Sequence, residues 1–180
     1  MKRSQGLNRA VRVLCWVCTT GANHASKAAH VKATWGRRCD KLIFFSDEED
    51  EDLPAVGIAA PKGRAGLWRK TVQAFIQVHD QFANEFDWFL KADDDTYVIV
   101  ENLRRLLVLY DPNAAKYLGM QFKKRDLPKG YATGGAGYVL SRGALKKLVT
   151  AAFPAPNPHC QLSNLTSDED VLLGLIDFLQ

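Results

Sequence analysis

No run of eighteen or more apolar residues occurs in the chain, so nothing in it reads as a membrane-spanning helix. The basic start Met1-Lys2-Arg3 gives way to polar residues before an apolar core of signal-peptide length develops, and no anchor is expected in the chain as given. An excess of one charge is lacking too. The 24 Lys and Arg residues stand against 20 Asp and Glu, and the net charge of +4 is spread along the sequence, which gives nucleic-acid binding little support. Cysteine is sparse, with Cys15, Cys18, Cys39 and Cys160 alone. Cys15-x-x-Cys18 has a spacing used by redox and zinc sites, but it falls inside an apolar strand-like run and has no second ligand pair. What is present, 180 residues of which 47% are hydrophobic, suffices for one cored domain and is short for two.

The most informative stretch is Asp87-Trp88-Phe89-Leu90-Lys91-Ala92-Asp93-Asp94-Asp95-Thr96-Tyr97-Val98, in which a strand-forming apolar run ends in three consecutive carboxylates before apolar residues resume. The end of a buried strand is where an α/β sheet keeps its chemistry. In an extended triplet the first and third residues point the same way, so Asp93 and Asp95 are expected to converge on one hard divalent cation while Asp94 faces away. A solvated turn is the ordinary alternative for adjacent acids. Such turns are seldom set between two apolar runs, however, and like charges this close are costly without a cation or strong donors. An EF-hand is excluded, because no Gly and no distal Glu stand at the required spacing.

Strand-like and helix-like segments alternate around this triplet. Arg12 to Thr20 reads as a buried strand whose Thr19-Thr20-Gly21 junction faces a nucleotide in a doubly wound sheet. His24 to Arg38 reads as a helix with Lys27, Lys32, Arg37 and Arg38 on a basic side. Lys41 to Ser46 and Val56 to Ala59 read as strands, separated by a solvated acidic loop at 47–52. Leu67 to Phe82 is the clearest amphipathic helix, with Val72, Phe75, Ile76 and His79 near one side, and Glu101 to Tyr110 reads as another. Tyr117 to Phe122 reads as a strand, and Lys123 to Lys129 as a basic, mobile loop.

Gly134-Gly135-Ala136-Gly137 has the wrong spacing for a dinucleotide fingerprint and precedes a strand, Tyr138 to Ser141. It suits close backbone approach to a flat ligand such as a sugar ring, or simple turn geometry. A helix from Ser141 to Ala151 and a proline-rich loop from Phe153 to Pro158 follow. Asn164-Leu165-Thr166 is a glycosylation acceptor pattern consistent with a secretory lumen. Ser167-Asp168-Glu169-Asp170 opens the last helix, where Ser167 or Asp168 can cap; capping accounts for one acid and leaves others over.

The Asp87 to Val98 segment closely resembles the metal-binding segment of the animal β-1,3-glycosyltransferases. Three further segments match in order: Val31-Lys32-Ala33-Thr34-Trp35, Gly130 to Ser141, and Glu169-Asp170-Val171-Leu172-Leu173-Gly174. The likeness runs from about Arg12 onward and is strongest to the family's core-1 galactosyltransferase branch. It implies an α/β fold of GT-A type, a Rossmann-like, mixed, mostly parallel sheet flanked by helices. Residues 11–180 would form this domain, truncated at its C-terminus relative to the family's, with residues 1–10 as an extension.

The implied activity is inverting transfer of galactose from UDP-galactose to the 3-hydroxyl of GalNAc O-linked to glycoproteins. Mn²⁺ would be the cofactor, on Asp93 and Asp95, with Asp170 as catalytic base and Glu169 as second choice. Thr19, Lys32, Lys70 and Asp94, with Trp68, would surround the donor, and Gly134, Gly135 and Tyr138 the acceptor. The family supplies a further metal-ligating His downstream, whereas all four His residues here precede the base motif. The resemblance also implies a Cys15 to Cys39 disulfide, which needs an oxidising lumen. A type II membrane protein of the Golgi or ER lumen, homodimerisation and a dedicated chaperone complete the expectations. The competing reading is a catalytically incomplete paralogue or a chaperone-like partner of such an enzyme.

Overall fold

The computed structural model describes residues 11–61, 63–124, 127–154 and 168–176. The acceptor pattern at Asn164, the cap candidate Ser167 and Cys160 lie outside these residues. The central strand β1 (Val13–Cys18) is buried along its whole length, as a run of apolar residues covered on both faces requires. It pairs in parallel with β2 (Lys41–Ser46) on one side and β4 (Trp88–Asp93) on the other, and β3 (Ala55–Gly57) extends the parallel part beyond β2. Beyond β4 lie β8 (Tyr138–Ser141), antiparallel to it, and β5 (Tyr117–Gly119), antiparallel to β8. The six-stranded order is β3-β2-β1-β4-β8-β5, and β6 (Gln121–Lys124) and β7 (Leu127–Ala132) form a separate hairpin.

Alternation along β1 divides the core. Leu14, Trp16 and Cys18 face a cluster with Ala74, Phe75 and Val78 of α2 (Leu67–Phe82), Ala144 and Leu145 of α4 (Arg142–Lys147), and Leu173 of α5 (Glu169–Gly174). Val13, Cys15 and Val17 face a second cluster with Val31 of α1 (Ala29–Ala33), Trp35, and Val100 and Leu107 of α3 (Val100–Leu107). The sheet is therefore mixed, mostly parallel and flanked by helices on both faces, as expected. Cys15 and Cys39 form a disulfide with Cα atoms 6.0 Å apart. Among the described residues no helix is long and apolar enough to cross a membrane.

Four local expectations are corrected. The helix from His24 to Arg38 is a π turn (His24–Ala28) and α1, interrupted at Thr34, whose hydroxyl bonds the His30 carbonyl, before a 3₁₀ turn at Trp35–Arg38. The inward face of α2 is Lys70, Thr71, Ala74, Phe75 and Val78; Val72, Ile76 and His79 are only half-buried, because apolar residues occupy more than one side of this helix. The strand at 117–122 divides at Met120 between two sheets, and the basic loop is instead the β6–β7 hairpin, registered by Gln121 opposite Ala132 and by Phe122 stacked on Tyr131. The acidic loop after β2 is partly structural: Asp47 accepts from the Gly21 amide, and Asp50 accepts from the Leu53 amide beside His24.

Candidate functional site

β4 ends at Asp93, and the chain turns at once, the Thr96 amide bonding the Asp93 carbonyl at 3.1 Å. Extended alternation therefore stops before Asp94, and the three carboxylates go three ways. The Asp93 carboxylate is held by Lys91 Nζ at 2.7 Å. Asp94 turns toward the loop after β1, accepting from the Thr19 hydroxyl at 2.8 Å and Asn23 Nδ2 at 2.9 Å. Asp95 projects outward, 65% exposed, and takes Lys27 Nζ at 2.9 Å; the same ammonium lies 3.6 Å from Asp94. The expected grouping of Asp93 with Asp95, Asp94 apart, is not the grouping of their side-chain partners: Asp93 takes Lys91, while the Lys27 ammonium reaches both Asp94 and Asp95. Hydrogen bonds to Asp95 and the charge of Asp94 raise the Lys27 ammonium above the ordinary lysine value.

The triplet lines a cleft of about 340 Å³ with Thr19, Asn23, Asp47, Arg64 and Lys70. Lys70, buried at the start of α2, donates to the Thr19 carbonyl at 3.2 Å and so fixes the end of β1 from below. Two expected donor contacts lie elsewhere. Lys32 reaches the Asp52 carbonyl and lines a different hollow, beside the acidic loop, because it sits on the other side of the His24 to Ala33 segment from Asn23 and Lys27. Trp68 packs edge-on against Phe153 at 6.1 Å. Cys18 forms part of the cleft floor, and burial pushes its thiol up to about 11.

A second group of charges lies behind the first. Lys91 is 1% exposed and Glu169 2%, and their side chains meet at 2.6 Å. The other Glu169 oxygen accepts the Tyr138 hydroxyl at 3.0 Å. Burial opposes the charge on Lys91, but Glu169 and Asp93 outweigh it and hold the ammonium well above the usual lysine range. Glu169 is almost wholly buried and ion-paired to Lys91, which argues against its use as a base on an incoming hydroxyl. The expectation that Tyr138 touches an acceptor is corrected: it is 1% exposed, and its ring stacks inward on Phe75.

Asp170, the neighbour of Glu169, is half-buried and accepts the Gly134 amide and the Val171 amide, both at 2.8 Å. A carboxylate has about four acceptor positions, so two amides fix its orientation and leave capacity over. Gly134 has no alternative here, since a Cβ on it would lie 2.7 Å from Glu169 Oε1 and 3.0 Å from Lys91 Nζ, whereas Gly135 faces open space. Thr96 ties this turn to the acidic one, accepting the Asp93 amide at 3.3 Å and donating to the Gly135 carbonyl at 2.9 Å. Asp168 occupies the cap position of α5 without a side-chain capping bond and pairs with Arg64 at 3.2 Å.

One rim of the sheet therefore carries an acidic turn in a cleft and a separate, amide-oriented carboxylate, joined through Lys91 and Glu169. The description Fringe-like fits residues 9–177 of the chain. The chain belongs to the Fringe-like family. Among curated relatives, this Fringe-like chain is 45% identical over 171 residues to glycoprotein-N-acetylgalactosamine 3-beta-galactosyltransferase 1 of Xenopus laevis, a match covering 95% of the chain and 46% of the relative. It is 28% identical over 154 residues to the beta-1,3-glucosyltransferase of Mus musculus, covering 84% and 30%. Chondroitin sulfate synthase 3 of Homo sapiens is 25% identical over 169 residues, covering 83% and 18%. The chain thus spans less than half the length of these relatives.

Sequence reasoning missed Asn23, Lys27, Lys91 and Thr96. A signal existed for three of them. Asn23 and Lys27 are four residues apart, hence on one side of a helical segment, and Lys91 is a charge set in an otherwise apolar strand, which demands a buried counter-charge.

Proposed function

We propose that this Fringe-like chain carries the donor and base machinery of a glycosyltransferase that moves galactose from UDP-galactose to the 3-hydroxyl of O-linked GalNAc on glycoproteins, with inversion. The observation that carries the reading is the placement of Asp170 on the same rim as the Asp93 to Asp95 turn, in a chain 45% identical to a glycoprotein-N-acetylgalactosamine 3-beta-galactosyltransferase. Asp170 takes the proton of the acceptor hydroxyl as its oxygen bonds to C1 of galactose. The bond from C1 to the diphosphate oxygen breaks, and its electron pair leaves with UDP. Lys70 and Thr19 shape the donor cleft, while Glu169 and Lys91 orient the helix that bears Asp170.

The acidic turn fits a divalent cation. Its donors are hard carboxylate oxygens, and the Lys27 ammonium already stands between Asp94 and Asp95 as a cation of lower charge. Among the described residues no three His, Cys, Asp or Glu side chains are gathered as a cage. That matches ions bound by one or two carboxylates together with substrate phosphates. Mn²⁺ at Asp95 and Asp94 would supply Lewis-acid stabilisation of the charge left on UDP. Residence in the Golgi lumen is part of this reading, supported by the disulfide, which persists in oxidising compartments.

The test is transfer from UDP-galactose to a GalNAc-bearing peptide, with Mn²⁺ or with EDTA, on the parent, Asp95→Asn and Asp93→Asn. Product should require metal, and Asp95→Asn should weaken metal-dependent UDP binding more than Asp93→Asn. Equal transfer in EDTA would remove the metal from the mechanism; UDP binding without any transfer would favour a non-catalytic relative.

A further inference from the structure

Three adjacent carboxylates repel one another strongly unless each finds a partner. Asp93 has a permanent one in buried Lys91, and Asp94 has two neutral donors, Thr19 and Asn23. Asp95 has Lys27. This last partner differs in kind. Its side chain is 41% exposed, comes from a π turn at the rim and ends in a flexible four-carbon stem, so it can leave without opening the core. It also spans two carboxylates at once, which is where a bound cation would sit.

We propose that Lys27 is a tethered counter-cation of the acidic turn. It neutralises Asp94 and Asp95 in the absence of metal, gives way to a divalent ion, and then adds its positive charge to the recognition of a nucleoside diphosphate in the same cleft. The inference rests on the metal-dependent reading above. It makes Lys27 a positioning residue whose removal has opposite effects on two ligands. A single-charged competitor is taken away from the metal, so metal alone binds more tightly; a positive charge is taken away from the diphosphate, so the nucleotide binds more weakly. Exposed charges interact through water, so each effect is modest, about three- to tenfold at low ionic strength, and shrinks as salt rises.

The experiment is calorimetric titration of the whole chain with MnCl₂ alone, then with UDP at saturating Mn²⁺, for the parent, Lys27→Met, Lys27→Arg and Lys32→Met. Lys27→Met should bind Mn²⁺ roughly fivefold more tightly and UDP several-fold more weakly, with Lys27→Arg restoring most of both and Lys32→Met matching the parent. Parent and Lys27→Met with the same Mn²⁺ affinity, or shifts of the same sign for Mn²⁺ and UDP, would overturn the proposal while leaving the metal-dependent reading intact. A parent that binds UDP equally well with and without Mn²⁺ would instead show that the metal-dependent reading has failed, and the role of Lys27 with it.

Discussion

The acidic turn and the Glu169 cluster are both built of carboxylates facing a lysine, yet they are stabilised in opposite ways. At the turn, Lys27 and Asp95 meet in solvent, where attraction is screened and easily exchanged. Behind it, Lys91 and Glu169 meet where almost no water reaches, and Tyr138 and Asp93 add a further bond to each. Such a pair contributes little net stability over an apolar substitute, but removing one partner strands a buried charge. The first arrangement is suited to exchanging partners with a ligand, and the second to holding a helix in one position.

Deleting each lysine in turn should expose this difference most sharply. Lys91→Met should cost about 3–5 kcal/mol in urea unfolding, because Glu169 is left buried without a counter-charge, while Lys27→Met should barely move the transition. Comparable losses for the two variants would end the comparison. Restoring stability with the double variant Lys91→Met/Glu169→Gln would confirm that the stranded charge, not lost packing, was the cause.

Asp170→Asn separates orientation from chemistry. Asparagine keeps one carbonyl acceptor for the Gly134 or Val171 amide and loses the other, a cost of about 1 kcal/mol. Proton transfer, which Asn cannot perform, should fall by roughly 100-fold or more in kcat. A rate loss no larger than the stability loss explains would return Asp170 to a structural role.

Two neighbouring glycines sharpen the same contrast at smaller scale. Gly134→Ala pushes a methyl group into Glu169 and Lys91 and should destabilise by about 1–3 kcal/mol, whereas Gly135→Ala meets nothing within 4 Å and should leave the melting temperature nearly unchanged. The smallest effect concerns Cys18. With its thiol pushed up to about 11, roughly one part in a thousand is thiolate at pH 8, so alkylation mapped by mass spectrometry should spare it until the chain is unfolded. Rapid labelling in the folded state would mean that the cleft floor is open.

Most of the framework was legible because continuous apolar runs permit few alternatives. β2 from Lys41 to Ser46, α2 from Leu67 to Phe82 and β8 from Tyr138 to Ser141 begin and end where pattern and breakers place them. The mixed, mostly parallel character of the sheet and the family membership followed from the resemblance that motifs in sequence order carry; the strand order did not. The directions of the three aspartates were not legible, because a single turn bond from Thr96 ends the extended geometry one residue earlier than alternation assumes. The burial of Glu169 and Tyr138 was not legible for a different reason. Their partner Lys91 is 78 residues from Glu169 in the chain, and no local pattern encodes that meeting. The basic hairpin was hidden by its composition, since lysine and proline are poor strand formers in isolation.

The parallel arrangement of β1 beside β4 has a kinetic consequence. Asp94 is completed by Thr19 and Asn23, 75 and 71 residues upstream, and Asp95 by Lys27, 68 residues upstream. Loops of that length must close before any of these bonds can form, and contacts of high sequence separation slow folding. The acidic turn should therefore be among the last parts of the chain to acquire its native surroundings. Until β1 and β4 have paired, Asp93 has a neighbour in Lys91 on its own strand while Asp94 and Asp95 lack their partners, so the chain should pass through its early folding with its cation site unassembled.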